Sequence, residues 1–223
     1  MRMVEYPDRE FLAMQLADTL AAALRNCLLV HDHASFCVPG GSSPGELFRT
    51  LSGATLDWSR VHVFLNDERW VPEGHPRSNT SLLKQTLLTD QAAAAHLVPM
   101  VNNAPTPEEG LPALEGGFET ELPISLLLLG MGADMHTASL FPGADRLKDA
   151  MAPDAPILLP MRANGAGEPR ITLTRRVLAD AMEIHILIFG DEKRAVLERA
   201  QKMDPMDAPI SAFLANATVH WAA

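Results

Sequence analysis

Between Gly130 and Ser139 the chain gathers Asp134, His136, Thr137 and Ser139 within six residues. An imidazole can take a proton from water and return it to a leaving group near neutral pH. A carboxylate two residues away can orient the ring, while the two hydroxyls can cap a short turn. On its own, the same histidine could equally be no more than a turn residue. What precedes it favours chemistry. Residues 124–129, apolar except for Ser125 and bounded by Pro123 and Gly130, are expected to form a strand buried on both faces. Gly130 and Gly132 then let the backbone turn sharply. The titratable residues therefore sit at the carboxyl end of a buried strand, where open α/β sheets bind ligands.

Two further strand ends carry polar groups. Residues 34–38 run into Gly40, Gly41, Ser42 and Ser43. Ser43 is the expected N-cap and Pro44 the first position of the helix bearing Leu47, Phe48 and Leu51. Such a turn aims free N–H groups at an anion, although a plain tight turn reads the same way. A strand over 58–66 ends in Asp67, Glu68 and Arg69, with Arg77 in the following loop. Asp67 and Arg69 are candidates to contact substrate, and Glu68 to pair with an arginine. Spacing alone does not separate Arg77 as a surface arginine from Arg77 as a phosphate ligand.

The supporting elements alternate. A helix capped by Asp8 carries Leu12, Leu16, Leu20 and Leu24. Strands are expected at 96–101, 157–161 and 183–189, with an edge strand at 218–221; helices are expected at 111–121, 175–181, from Lys193 to Gln201, and over 209–216. Residues 102–117 read mainly as loop, and the glycine-rich segment 164–167 receives no chemical role. His185, inside a strand, is a structural histidine. His31-Asp32-His33 invites a metal reading, but no third ligand is near in sequence, so it is read as a solvated turn. The order gives a three-layer α/β fold with a mostly parallel sheet flanked by helices, one domain over residues 1–223.

Five ordered blocks resemble the 6-phosphogluconolactonases. Residues 130–142 are similar to that family's Gly-x-Gly-x-Asp-Gly-His-Thr-Ala-Ser-Leu-Phe-Pro loop, and residues 38–44 to its Gly-Gly-Ser-Thr-Pro phosphate loop. Residues 66–72 with Ser78-Asn79 resemble its Asp-Glu-Arg segment. Arg170-Ile171-Thr172-Leu173-Thr174 and Gly190-Asp191-Glu192-Lys193 resemble its late elements. The resemblance implies the sugar-phosphate isomerase/lactonase fold and hydrolysis of 6-phospho-D-glucono-1,5-lactone to 6-phospho-D-gluconate in the oxidative pentose phosphate pathway. It makes His136 the general base, with Asp67 or Asp134 orienting it and backbone N–H groups at Gly130 to Gly132 stabilising the oxyanion. The phosphate would rest on Gly40, Gly41, Ser42 and Ser43, with Arg69, Arg77, Arg170 and Lys193 contributing charge. One departure stands out: Met135 occupies a glycine position, and a positive φ there would cost roughly 1–2 kcal/mol.

Composition sets limits. A net charge of −10 over 223 residues excludes nucleic acid and acidic membrane as partners. An acidic protein that binds a phosphorylated sugar lactone must therefore gather its few cations locally. No metal-type cysteine spacing and no Gly-x-Gly-x-x-Gly fingerprint occur, so no metal or nicotinamide cofactor is expected. With Cys27 and Cys37 alone and no signal-like N-terminus, the expected setting is cytoplasmic. No oligomeric state is assigned. Two other readings remain: a non-catalytic sugar-phosphate sensor, and a sugar-phosphate isomerase or deaminase on the same fold. The deaminases carry glutamate five residues after the histidine and tyrosine after Asp-Glu. This chain has Phe141 and Arg69 there.

Overall fold

A computed structural model describes residues 1–223. The strands are β1 (Arg2–Glu5), β2 (Ala34–Val38), β3 (Val61–Leu65), β4 (Asp67–Arg69), β5 (His96–Leu97), β6 (Leu126–Gly130), β7 (Leu158–Met161), β8 (Arg170–Leu173), β9 (Ile184–Phe189) and β10 (Ala217–Ala222). The helices are α1 (Arg9–Leu28), α2 (Gly45–Ser52), α3 (Asn79–Thr86), α4 (Pro107–Gly110), α5 (Glu115–Glu119), α6 (Leu147–Met151), α7 (Arg175–Ala179) and α8 (Asp191–Ala200). No helix is long and apolar enough to cross a membrane.

Seven strands form one sheet in the order β1-β10-β9-β6-β2-β3-β5, every pair parallel. From β2 the chain moves outward through β3 and β5, then returns to the other side of β2 with β6, β9 and β10. The order reverses between β2 and β6, so the loops leaving those two strands flank a crevice at the carboxyl edge. Both strands are fully covered up to that edge: all of β2 and Leu126–Leu129 of β6 are buried. The strand expected over 124–129 is therefore present but starts two residues later, at Leu126, and runs into Gly130.

Asp8 caps α1, accepting the Phe11 N–H at 2.7 Å. Leu12, Leu16, Leu20 and Leu24 are completely buried in a core cluster shared with the sheet. Several boundaries differ from expectation. Residues 58–60 form a 3-10 turn before β3, and the strand expected at 96–101 shrinks to His96–Leu97. The segment 209–216 is also a 3-10 turn, and the helix expected at 111–121 breaks into a 3-10 turn and α5. β10 is not an edge strand: β1, at the N-terminus, pairs outside it. A second sheet, β4-β8-β7, is antiparallel. It places Asp67 opposite Thr172 and Arg69 opposite Arg170.

A polar chain, buried at its two central histidines, crosses β9 and β10. The Glu183 carboxylate accepts from His185 Nε2 at 2.8 Å, which leaves His185 Nδ1 to accept from His220 Nε2 at 2.8 Å. His220 Nδ1 then accepts the Tyr6 hydroxyl at 2.8 Å. The direction of this chain requires both rings neutral. Burial pulls both imidazoles down, His220 to about 3, with His185 adding to the shift at His220. A histidine held below its unfolded value keeps its full stability contribution above that unfolded value and loses it as pH falls towards the folded one. Lowering the pH from 7 to 5 should therefore cost about 2 kcal/mol of unfolding free energy through His220. Urea denaturation across that range should give a shallower slope in His220→Asn than in wild type.

Candidate active site

The crevice predicted by the topology is a cavity of about 250 Å³. The segments leaving β2, β3 and β6, together with β4 and β8, supply its wall, and Lys193 enters from the opening of α8. Of the residues anticipated from sequence, Gly40, Gly41, Ser43, Asp67, Arg69, His136, Arg170 and Lys193 line it together. Ser42, Arg77 and Asp134 do not. Ser42 borders an adjoining surface cleft with Ser43 and Lys193. Arg77 is half exposed and pairs with Glu168 at 3.0 Å. Asp134 supports His136 from the solvent side, 55% exposed.

The loop after β6 is built around His136. Gly132 donates its N–H to the His136 carbonyl at 2.9 Å, and Thr137 Oγ1 donates to Gly130 at 2.8 Å. Any Cβ at position 132 would collide with the His136 ring and the Asp134 carboxylate, so glycine is required by close approach. Met135 has φ 67° and Ala138 φ 50°. Met135 therefore does carry the left-handed strain anticipated for a residue replacing glycine. Its side chain is buried in the core cluster, and its carbonyl accepts from Ile210 at 3.1 Å. Those contacts hold the strained turn that presents His136.

His136 Nδ1 lies 2.5 Å from Asp134 Oδ1. A carboxylate only accepts, so Nδ1 carries the proton and Nε2 the lone pair. Of the two carboxylates weighed as partners of His136, Asp134 is the one in contact. Asp67 turns elsewhere: it accepts from Ser139 Oγ at 2.5 Å and from Arg170 Nη1 at 3.3 Å, with both charged side chains under 10% exposed. Ser139 is completely buried and its hydroxyl is committed to this pair. The Phe141 ring packs on His136 at 4.2 Å between centroids, and the Arg170 guanidinium carbon lies 5.1 Å from the Phe141 centroid.

β4 explains how adjacent charges reach different places. Side chains alternate along a strand, so Asp67 and Arg69 face the cavity while Glu68 points away. Glu68 is not paired with an arginine. Its carboxylate, completely buried, accepts the N–H groups of Arg69, Asn79 and Thr80 at 2.7, 2.9 and 2.6 Å, and the Ser78 and Thr80 hydroxyls. It thereby satisfies the donors that open α3. The α3 opening brings Asn79 against Gly40, where a Cβ would overlap its amide. Asn79 and Asn66, both cavity residues, fall within the blocks that carry the resemblance but received no site role from sequence. Asn66 directly follows the last residue of β3, which is the signal that marks it.

Positive charge converges from separate segments. Arg69 donates to the Arg77 carbonyl at 2.6 Å, and Lys193 Nζ to the Met131 carbonyl at 2.6 Å. The segment 164–167, given no role by sequence, supplies the Ala166 carbonyl that accepts from Arg77 and Arg170. Burial pulls the Lys193 ammonium and Arg170 guanidinium below their ordinary values, with Asp134 and Asp67 respectively opposing it. Asn66 Oδ1, Arg69 Nε and Arg170 Nε are buried and make no hydrogen bond, an unusual concentration of unsatisfied polar atoms around one cavity. The opening of α2 faces it too. That helix starts at Gly45 with no side-chain cap, so Ser43 does not serve as its N-cap. The Gly45 N–H is used by the Ser42 carbonyl at 3.2 Å.

A three-layer α/β fold with a polar, cation-rich crevice at its sheet reversal defines the sugar-phosphate isomerase/lactonase class. A sequence model described as "Glucosamine-6-phosphate isomerases/6-phosphogluconolactonase" matches residues 7–221, and the chain belongs to that family. It is 42% identical over 219 residues to a 6-phosphogluconolactonase of Rhizobium meliloti, covering 95% of this chain and 94% of that one. It is 42% identical to one of Pseudomonas aeruginosa, over 94% and 90% of the two chains. A crystal structure of a 6-phosphogluconolactonase from Shewanella baltica superposes with a TM-score of 0.96 at 31% identity, covering 100% of this chain and 98% of that one.

The Glu68 network carries a stability prediction. Glu68→Ala removes the acceptor of several buried donors and should cost about 3 kcal/mol or more in urea unfolding. Lys84→Ala, which breaks the exposed pair with Glu73 at 2.7 Å, should cost under about 1 kcal/mol.

Proposed function

We propose that this chain, acting as one domain over residues 1–223, hydrolyses 6-phospho-D-glucono-1,5-lactone to 6-phospho-D-gluconate. It is a lactone-hydrolysing enzyme, a carboxylic ester hydrolase, as the activity named for its relatives indicates. The observation that carries the mechanism is the pairing of His136 Nδ1 with Asp134, which leaves the Nε2 lone pair on a ring lining the cavity.

Nε2 takes a proton from water as the water oxygen attacks the lactone carbonyl. The oxyanion forms beside the N–H groups of the 130–132 loop; the Gly132 N–H is already committed to the His136 carbonyl, so the remaining loop donors serve. As the tetrahedral carbon collapses, the bond to the ring oxygen breaks and His136 returns its proton to that oxygen. The ester is activated, and neither a covalent nucleophile nor a metal enters the step. Arg69, Arg170 and Lys193, with the Gly40–Ser43 turn at the α2 opening, hold the phosphate dianion. Arg77 and Ser42 act from the rim. Phe141 occupies the place of the deaminases' glutamate and packs directly on the His136 ring, so no second acid stands there. The phosphorylated lactone is the partner implied, in the pentose phosphate pathway.

The test is acid release from freshly generated 6-phosphogluconolactone, read above the spontaneous rate at neutral pH. Wild type should turn over rapidly, and His136→Ala should lose about 10²- to 10⁴-fold in kcat. Turnover that survives in His136→Ala would move the base elsewhere. Binding without turnover in wild type would make the chain a sensor.

A further inference from the structure

At the opposite, amino-terminal edge of the sheet lies a second cluster of chemistry-bearing side chains. His33 immediately precedes β2, His62 is the second residue of β3, and Glu121 lies ahead of β6. Their nitrogen and oxygen ligand atoms all lie within 4.8 Å of one another. His62 Nδ1 is 2.8 Å from Glu121 Oε1, and His33 Nε2 is 3.5 Å from Glu121 Oε2. The two imidazoles stack with centroids 4.3 Å apart and planes at 17°.

Two observations set this cluster apart from a surface hydrogen-bond group. Glu121 is only 4% exposed, and its Oε2 is buried without a hydrogen-bond partner. A carboxylate oxygen left in that condition costs free energy that a cation would return. The ligand positions are also held by the fold. Arg60 fastens the turn before His33 by donating to the carbonyls of Leu28, His31 and Asp32 at 3.1, 2.6 and 2.7 Å. Ser35 and Ser125 exchange bonds of 3.1 and 2.9 Å between N–H and hydroxyl, tying β2 to the segment that follows Glu121.

We propose that His33, His62 and Glu121 form a divalent-cation site suited to zinc. Two imidazole nitrogens and one carboxylate oxygen are a zinc donor set, whereas calcium and magnesium prefer oxygen throughout. A tetrahedral ion about 2.1 Å from each ligand needs ligand atoms about 3.4 Å apart. The His33–Glu121 separation already meets this, and rotation of the partly exposed His62 ring completes it. Binding replaces the proton between His62 and Glu121 with the ion. The fourth position stays open to water. The third ligand that His31-Asp32-His33 lacks in sequence is thus supplied by residues 29 and 88 positions after His33, brought together by parallel pairing.

The experiment strips the full chain with a chelator, then titrates zinc chloride against a chromophoric competitor. Wild type and His136→Ala should each hold one zinc per chain, the latter excluding the His136–Asp134 pair as the site. His62→Ala and Glu121→Gln should bind more than about tenfold more weakly, and zinc should raise the melting temperature of wild type but not theirs. His33→Ala, on a partly exposed turn, decides the matter if Glu121→Gln fails to fold. No zinc on wild type, zinc retained in His33→Ala and His62→Ala, or zinc lost only in His136→Ala would overturn the proposal.

Discussion

The buried pair between Asp67 and Arg170, with Ser139 bound to the same carboxylate, is the interaction on which the site depends. Asp67 begins β4, Arg170 begins β8, and Ser139 lies in the loop after β6. One carboxylate therefore fixes three segments that share no local sequence. Removing two charges from water is costly, and such a pair is kept only when further hydrogen bonds satisfy it. Here Ser139 supplies one, while the cation remains beside the cavity. Asp67 contributes by holding the walls and balancing Arg170, and contact with the imidazole falls to Asp134.

That arrangement reconciles an overall charge of −10 with a crevice into which three cationic side chains converge. Long-range attraction of a phosphate by the whole molecule is unavailable, and exposed charges more than about 10 Å away are screened at 0.1 M salt. Arg69, Arg170 and Lys193 compensate by reaching one small cavity, Arg69 and Lys193 tethered to backbone carbonyls at 2.6 Å and Arg170 to the Asp67 carboxylate at 3.3 Å. Glu68, one residue from Asp67, faces the other way and organises the α3 opening. Strand alternation thus lets a run of three charged residues serve two purposes.

Much of this was legible in the sequence for physical reasons. Long apolar periodicity gave α1, continuous apolar character gave β6, and alternating isoleucines gave β9. What stayed hidden were elements too short to show a period. β4 has three residues, too few to show an alternation, and β5 has two, so its strand was legible but its length was overestimated. β1 lies on a sheet edge with only partial burial, which weakens its apolar signal. The orientation of Glu68 and the companions of His33 depend on tertiary pairing across tens of residues, which no local spacing encodes. His136 and Asp134 were visible together because a glycine-rich turn keeps them adjacent in chain and in space.

The central claim is that the converged cations recognise a phosphate and so place the lactone beside His136. Calorimetric binding of 6-phospho-D-gluconate and unphosphorylated D-gluconate to the same wild-type protein, at fixed ionic strength, tests it most directly. Charge-assisted hydrogen bonds contribute roughly 1.5–3 kcal/mol each, so the phosphorylated acid should bind at least about 100-fold more tightly. Equal affinities would contradict the account.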